Sequence, residues 1–413
     1  MCGIIAAASE SDVVSTLLNG LYKMEYRGYD SAGLAIQDNN SIEHIRTLGK
    51  VKKLEEKLLE IKPTSRLGIA HTRWATHGKP SEINAHPHKS SERIYIVHNG
   101  IIENHNQLKD FLKKEGYNFS SETDSEIIAH FLDYFLKQGK NIVDAIYKTK
   151  EKLNGAYAIA VIDKEDKKNI YLARNKSPLL IGLGKSENFA ASDLLAIGET
   201  AESYIALEDG DVGVISSQDY KIYDHSKKQT ERKILKIDSN LKSADKGNYR
   251  HFMEKEIYEQ PQAVLNTLDG RVGGGDVRED IFGKGSSELF KKVKRIQIVA
   301  CGTSLHAARV ASNWLSSISG IPTQIDYASE YRYRNPHVDK DSLFVTISQS
   351  GETADTLAAL KYSEEKGYLS SVTICNVPTS SIARESKYFF YTNAGPEIGV
   401  ASTKAFTTQL VGL

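Results

Sequence analysis

Cys2-Gly3-Ile4-Ile5-Ala6-Ala7-Ala8 opens the chain as a strand of small and apolar residues with a cysteine at its leading end. The fold turns on this stretch, because it makes position 2 the end of a sheet and not a frayed tail. Methionine is normally trimmed when the next side chain is small, and trimming of Met1 leaves Cys2 with its own α-amine. That amine has a reference pKa of about 7.7–8.0 and can take the thiol proton within one residue, which is the logic of N-terminal nucleophiles. Gly3 lets a substrate approach the backbone closely. Position alone favours a chance small residue; the surrounding segments reverse that preference.

Outward from the strand, Val13, Leu17, Leu21 and Met24 recur at helical spacing, with Ser11 as the expected cap. Residues 67–71 and 94–98 read as strands, and Ile127, Ile128, Phe131, Leu132 and Phe135 as an amphipathic helix. Residues 156–163 are almost continuously apolar and predict a buried strand, with further strands at 170–173, 179–183 and 212–216. These are sheets packed with helices. A polar, aperiodic stretch at 238–248 predicts a linker. Beyond it the rhythm changes. Residues 296–300, 343–347, 372–375 and 388–391 are strands separated by loops and helices, which predicts a doubly wound parallel sheet.

The 413 residues carry 53 basic and 53 acidic side chains, so nothing advertises a nucleic-acid or anionic-membrane partner. No apolar run is long enough to span a bilayer and no signal segment opens the chain, so the expected location is cytoplasmic. Cys2, Cys301 and Cys375 are too scattered for a disulfide framework or a metal site. No Walker A pattern occurs, which argues against ATP.

Four segments supply what a cysteine acting on glutamine needs. They are Tyr26-Arg27-Gly28-Tyr29-Asp30-Ser31-Ala32-Gly33, His71-Thr72-Arg73-Trp74-Ala75-Thr76-His77-Gly78, His98-Asn99-Gly100 at the expected end of the strand from Ile94, and Asp124 at a helix start. Arg73 offers a two-pronged cation for an α-carboxylate, and Asp124 an anion for an α-ammonium. The Asn99 amide and the Gly100 N–H offer donors to a tetrahedral oxyanion. Singly, each has a plain alternative: Arg73 a surface ion pair, Asp124 a helix-start charge, Asn99-Gly100 a turn. Those alternatives do not predict the four together behind a cysteine at position 2.

These segments resemble the class II glutamine amidotransferases, and within that class most resemble the hexosamine-phosphate synthases. The resemblance covers essentially the whole chain. It implies an N-terminal-nucleophile αββα sandwich over 1–240, with Cys2 as nucleophile and Asn99 and Gly100 as oxyanion hole. It implies glutamine binding by Arg27, Arg73, Trp74, Thr76, His77 and Asp124. Trp74 is similar to the family's tryptophan beside the ammonia path; a core aromatic is the alternative.

In the second half, Cys301-Gly302-Thr303-Ser304 and Ser348-Gln349-Ser350-Gly351-Glu352-Thr353 each follow a strand and lead into a helix. N–H groups at helix starts with Ser/Thr hydroxyls suit a phosphate, although such loops more often serve as simple caps. Their wording, with that of 400–410, resembles the sugar isomerase (SIS) domain and implies such a domain over 241–413. It implies that Thr303, Ser304, Ser348, Gln349, Ser350, Thr353 and Ser402 bind fructose 6-phosphate. Cys301 is expected to line its loop and Cys375 to be a core thiol. The family carries a second SIS module and a tail holding its Schiff-base lysine and isomerase acid–base residues. The chain is therefore expected to be a fragment of a synthase whose full-length form is a homodimer, using L-glutamine and fructose 6-phosphate without a metal or other cofactor. The rivals are an amidotransferase acting on phosphoribosyl pyrophosphate, which needs a loop with paired acidic residues after the linker, and a sugar-phosphate sensor without chemistry, which has no use for Cys2.

Overall fold

Side chains along the strand Gly3–Ser9 alternate between two apolar layers. Ile4, Ala6 and Ala8 pack with Val97, Ala158 and Ala160, while Ile5 and Ala7 pack with Leu17, Leu21 and Leu54. Burial on both faces explains a continuous apolar run where a half-exposed strand would alternate with polar residues. The computed structural model describes residues 2–38, 41–237, 246–273, 275–378, 380–399 and 401–413. Met1, with the question of its removal, and most of the expected linker, 238–245, lie outside them.

The chain divides into two units, Met1–Ser243 and Ala244–Leu413. The first holds an eight-stranded and a seven-stranded sheet. The eight-stranded sheet runs Ile234–Lys236, Ser203–Ala206, Leu180–Leu183, Glu187–Ala191, Gly3–Ser9, Leu67–Arg73, Ser31–Gln37 and Ile42–Leu48. The seven-stranded sheet has Gly155–Asp163 between Ile94–Ile102 and Ile170–Asn175. Its far face, with Ile96 and Ile159, packs on Phe131, Leu132 and Ile146 of the helices Glu126–Lys137 and Ile142–Lys150. Helices Val14–Met24 and Val51–Ile61 cover the other sheet. The result is the expected helix–sheet–sheet–helix sandwich.

Two local expectations fail. The first helix is capped at Val13 without a side-chain hydrogen bond, not at Ser11. Asn99 and Gly100 do not end their strand, which continues to Ile102. Gly100 is the reason. It adopts φ +141°, and a Cβ there would lie 1.9 Å from the Ala156 carbonyl oxygen, so only glycine lets the ladder pass.

The second unit is built on a five-stranded, all-parallel sheet. Its order is Thr323–Tyr327, Arg295–Ala300, Ser342–Ser348, Ser370–Cys375 and Tyr388–Tyr391. Ile298, Val345 and Ile374 face one apolar layer, Val299 and Phe344 the other. Strand order reverses between Arg295–Ala300 and Ser342–Ser348, and open α/β sheets bind ligands outside the carboxyl ends of strands at such a switch point. The edge strand Thr323–Tyr327 and the helix Phe252–Leu268, with Pro261 inside it, are absent from the periodicity reading. Among the described residues no helix is long and apolar enough to cross a membrane.

Candidate active site

Gly3–Ser9 lies antiparallel between Leu67–Arg73 and Glu187–Ala191, with Gly3 opposite Thr72. This register brings Cys2 to the end of the neighbouring strand. There the Trp74 N–H donates to Cys2 Sγ at 3.3 Å, and Sγ lies 3.5 Å from the Trp74 carbonyl oxygen. On the other side, Ile4 N–H donates to Ser192 Oγ (2.9 Å) and Ser192 N–H to the Ile4 carbonyl (3.0 Å). From the facing sheet, Asn99 Nδ2 donates to the Cys2 carbonyl at 3.0 Å. Burial pushes the Cys2 thiol pKa up, against the downward pull of the Trp74 N–H and the Arg73 guanidinium.

Arg73 is buried, and its Nη2 donates to the carbonyls of His77 and Gly78, the latter at 3.0 Å. Its Nη1 has no hydrogen-bond partner and lies 3.8 Å from Asp30 Oδ1. A buried guanidinium nitrogen without an acceptor is suited to an anionic ligand. Asp30 also accepts from Ser31 Oγ (2.8 Å) and from the Ala75 N–H, fixing the loop after Arg73. Asp124 is buried two residues before the helix Glu126–Lys137, where its Oδ2 accepts from the Ile102 N–H at 2.7 Å. Thr76 is exposed, and half-buried His77 meets the His105 ring edge-on at 5.0 Å. Trp74 is 46% exposed and stands edge-on to Tyr29 at 5.3 Å, so it is not a core aromatic. Arg27 is buried, ion-paired with Asp193 and bonded through Nε to the Tyr26 hydroxyl at 3.0 Å. Both arginines have internal partners, and Arg73 keeps one nitrogen, Nη1, without a hydrogen bond.

In the second unit, both Ser/Gly loops sit at the switch point. Cys301 precedes the helix Gly302–Trp314, and Thr353 the helix Ala354–Glu365. Ser348 Oγ accepts from the Gly351 N–H at 2.9 Å and lies 3.4 Å from Thr353 Oγ1. Ser350 Oγ accepts from the Glu352 N–H at 3.2 Å. Gly351 takes φ +65°, and a Cβ there would meet Ser380 Oγ at 2.0 Å, so the loop turns as tightly as it does because residue 351 has no side chain. Gln409 Nε2 donates to buried Ser304 Oγ at 3.1 Å. Thr303, Gln349 and Ser402 are half-buried. The segment before Ser402 is held from the helix Phe252–Leu268: Glu256 accepts from the N–H groups of Ile398 (2.5 Å) and Gly399 (2.9 Å), and Lys404 pairs with Glu259 at 2.6 Å. Cys375 is buried, as expected of a core thiol, and Cys301 is half-buried at its loop. Among the described residues no group of three His, Cys, Asp or Glu is placed to hold a metal ion.

Models of a glutamine amidotransferase domain and of the SIS domain match residues 71–199 and 289–413. The chain is 53% identical over its whole length to the glutamine–fructose-6-phosphate aminotransferase (isomerizing) of Pseudomonas aeruginosa, covering 68% of that protein. The chain belongs to the glutamine–fructose-6-phosphate aminotransferase family. The Escherichia coli K12 member is 50% identical over the same 68% of its length. A Bacillus subtilis glutamine phosphoribosylpyrophosphate amidotransferase, 16% identical, aligns over 91% of this chain and 81% of its own with a TM-score of 0.50, a likeness of fold alone. The chain is accordingly an enzyme, a glutamine amidotransferase carrying a sugar-phosphate-binding SIS domain.

Sequence reasoning gave no role to several residues that pack around this candidate site. Asp30 reads from the sequence only as part of a turn. Asp193 and Ser192 are the partners of Arg27 and Ile4 from more than 160 residues away. His71 read as the last residue of an apolar strand. Its Nε2 lies 3.0 Å from Asn99 Oδ1 and 3.1 Å from the His98 carbonyl oxygen, and burial lowers its pKa to about 3.

Proposed function

We propose that Cys2, with its own α-amine as base, attacks the side-chain amide of L-glutamine. Ammonia leaves, and the γ-glutamyl thioester on Cys2 is hydrolysed to glutamate. The observation that carries this reading is the meeting of Cys2 Sγ, the Asn99 amide from the facing sheet, and, at the end of the strand beside Cys2, a buried Arg73 whose Nη1 makes no hydrogen bond. Arg73 receives the α-carboxylate through that open nitrogen, and Asp124 the α-ammonium. Asn99 Nδ2 and the Gly100 N–H receive the oxyanion. Thr76, His77 and Trp74 border the amino acid. Because burial raises the thiol pKa, a base within reach of the sulfur is a requirement, and the α-amine of the same residue meets it.

In the second unit, Thr303, Ser304, Ser348, Gln349, Ser350, Thr353 and Ser402 hold fructose 6-phosphate, with phosphate at the helix starts after Cys301 and before Ala354. The full reaction is transfer of the glutamine amide nitrogen to fructose 6-phosphate, giving glucosamine 6-phosphate and glutamate. The test compares the chain lacking Met1 with its Cys2→Ala variant, assaying glutamate and hexosamine phosphate together. Loss of glutamate release in a variant that stays folded supports the assignment. Undiminished release removes it. Glutamate without hexosamine phosphate is expected, since the lysine of the 400–410 segment, Lys404, is already paired with Glu259.

A further inference from the structure

We infer that His71 is a positioning residue that fixes which end of the Asn99 amide faces Cys2. The inference rests on the reading of Asn99 as an oxyanion donor and goes beyond it. The argument starts from an atom that cannot change its role. The His98 carbonyl oxygen only accepts, and it lies 3.1 Å from His71 Nε2, so Nε2 carries the proton. A protonated Nε2 requires an acceptor at its second contact, 3.0 Å away on the Asn99 side chain. That atom is therefore Oδ1. The amide is planar with its oxygen and nitrogen on opposite sides, so Nδ2 is turned to Cys2, where it meets the Cys2 carbonyl at 3.0 Å.

Without this contact the amide has two orientations of similar shape, and one presents an oxygen lone pair where a negatively charged intermediate would form. The rest of the imidazole is arranged for the same end. His71 is fully buried, and its Nδ1 makes no hydrogen bond. The ring stacks on His86 at 4.1 Å between centroids, and His86 meets His88 at 4.5 Å. Packing thus holds the ring plane and leaves Nε2 as the proton-bearing atom that reaches Asn99. Three residues thereby set one donor: the carbonyl of His98 sets the tautomer of His71, and His71 sets the flip of Asn99.

The test uses glutamine hydrolysis by the chain lacking Met1, with melting temperature measured in parallel. His71→Leu keeps the bulk and removes the donor. It is expected to lower kcat by about 10- to 100-fold, short of full removal of an oxyanion donor, with KM for glutamine changed by less than about twofold. His71→Gln, which can carry an N–H to the same place, is expected to restore most of the rate. Asn99→Ala is expected to lower kcat further, and adding His71→Leu to it should cost nothing more, because the two act through one group. If His71→Leu fails to fold, His71→Asn, which stays polar but ends short of Asn99, takes its place with the same expectation. A fall in melting temperature with kcat per folded molecule unchanged would overturn the positioning role. So would additive losses in the double variant. Full activity in Asn99→Ala would instead overturn the oxyanion reading beneath it, so the two failures are distinguishable.

Discussion

Replacing Arg73 with lysine keeps the charge and removes the fork, which makes it the sharpest probe of the glutamine clamp. In the structure one terminal nitrogen, Nη2, is committed to the carbonyls of His77 and Gly78, and the other, Nη1, is buried without a hydrogen bond, 3.8 Å from Asp30 Oδ1. A lysine has a single nitrogen for both duties. If it stays with the carbonyls, the α-carboxylate loses its donor; if it turns to the ligand, the loop after Arg73 loses its anchor. Either way one hydrogen bond involving a charged group is lost, worth about 1.5–3 kcal/mol. At about 1.4 kcal/mol per tenfold, Arg73→Lys should lower kcat/KM for glutamate release by about 10- to 140-fold. The loss should fall mainly on KM, because the contact is made to a part of glutamine that does not change during the reaction. Initial rates over a range of glutamine concentrations, with melting temperature as a folding control, provide the measurement. A kcat/KM within about twofold of the parent would refute the clamp, since no lysine rotamer reproduces both prongs.

Gly100→Ala should abolish both activity and much of the stability of the first unit, because the added methyl would sit 1.9 Å from the Ala156 carbonyl oxygen; circular dichroism melting checks it. Burial raises the pKa of Asp193, but Arg27 and Tyr26 outweigh it and hold the carboxyl below the usual carboxylate range. A depressed folded pKa means a contribution present above the unfolded value of about 3.9 and lost as pH falls through the folded one. Asp193→Asn should therefore cost about 3–5 kcal/mol at pH 7, with the gap to the parent closing below about pH 4 in denaturant titrations. Glu256→Gln weakens the acceptor for the Ile398 and Gly399 N–H groups, and should weaken fructose 6-phosphate binding roughly tenfold in calorimetry while glutamine hydrolysis by the first unit is unchanged.

What the sequence made legible was local or periodic. The run from Gly3 to Ala8 reads as a strand of small residues and is one, and the strand–loop–helix rhythm after 296 became the parallel sheet. The site segments are legible because each carries a distinctive residue type: a cysteine at position 2, an arginine at a strand end and an Asn-Gly pair. The hidden part was pairing across the chain. Asp193 has no local signal, since only the folded sheet brings it to Arg27. His71 looked like a strand residue because its function depends on a carbonyl and an amide 27 and 28 residues away. The strand through Asn99 was cut short because Asn-Gly usually turns, and here the glycine serves passage beside Ala156 instead.

The pairing of Gly3–Ser9 with Glu187–Ala191 also orders events in time. During synthesis the strand Gly3–Ser9 meets one neighbour, Leu67–Arg73, well before the other, which is complete only once residue 191 has been made. Contacts of such long sequence separation close late and slowly. Ser192, which ties the Ile4 backbone, arrives in the same instalment. A growing chain thus holds Cys2 well before it has the frame that fixes this residue in place. Nascent chains should release no ammonia until nearly the whole first unit has emerged.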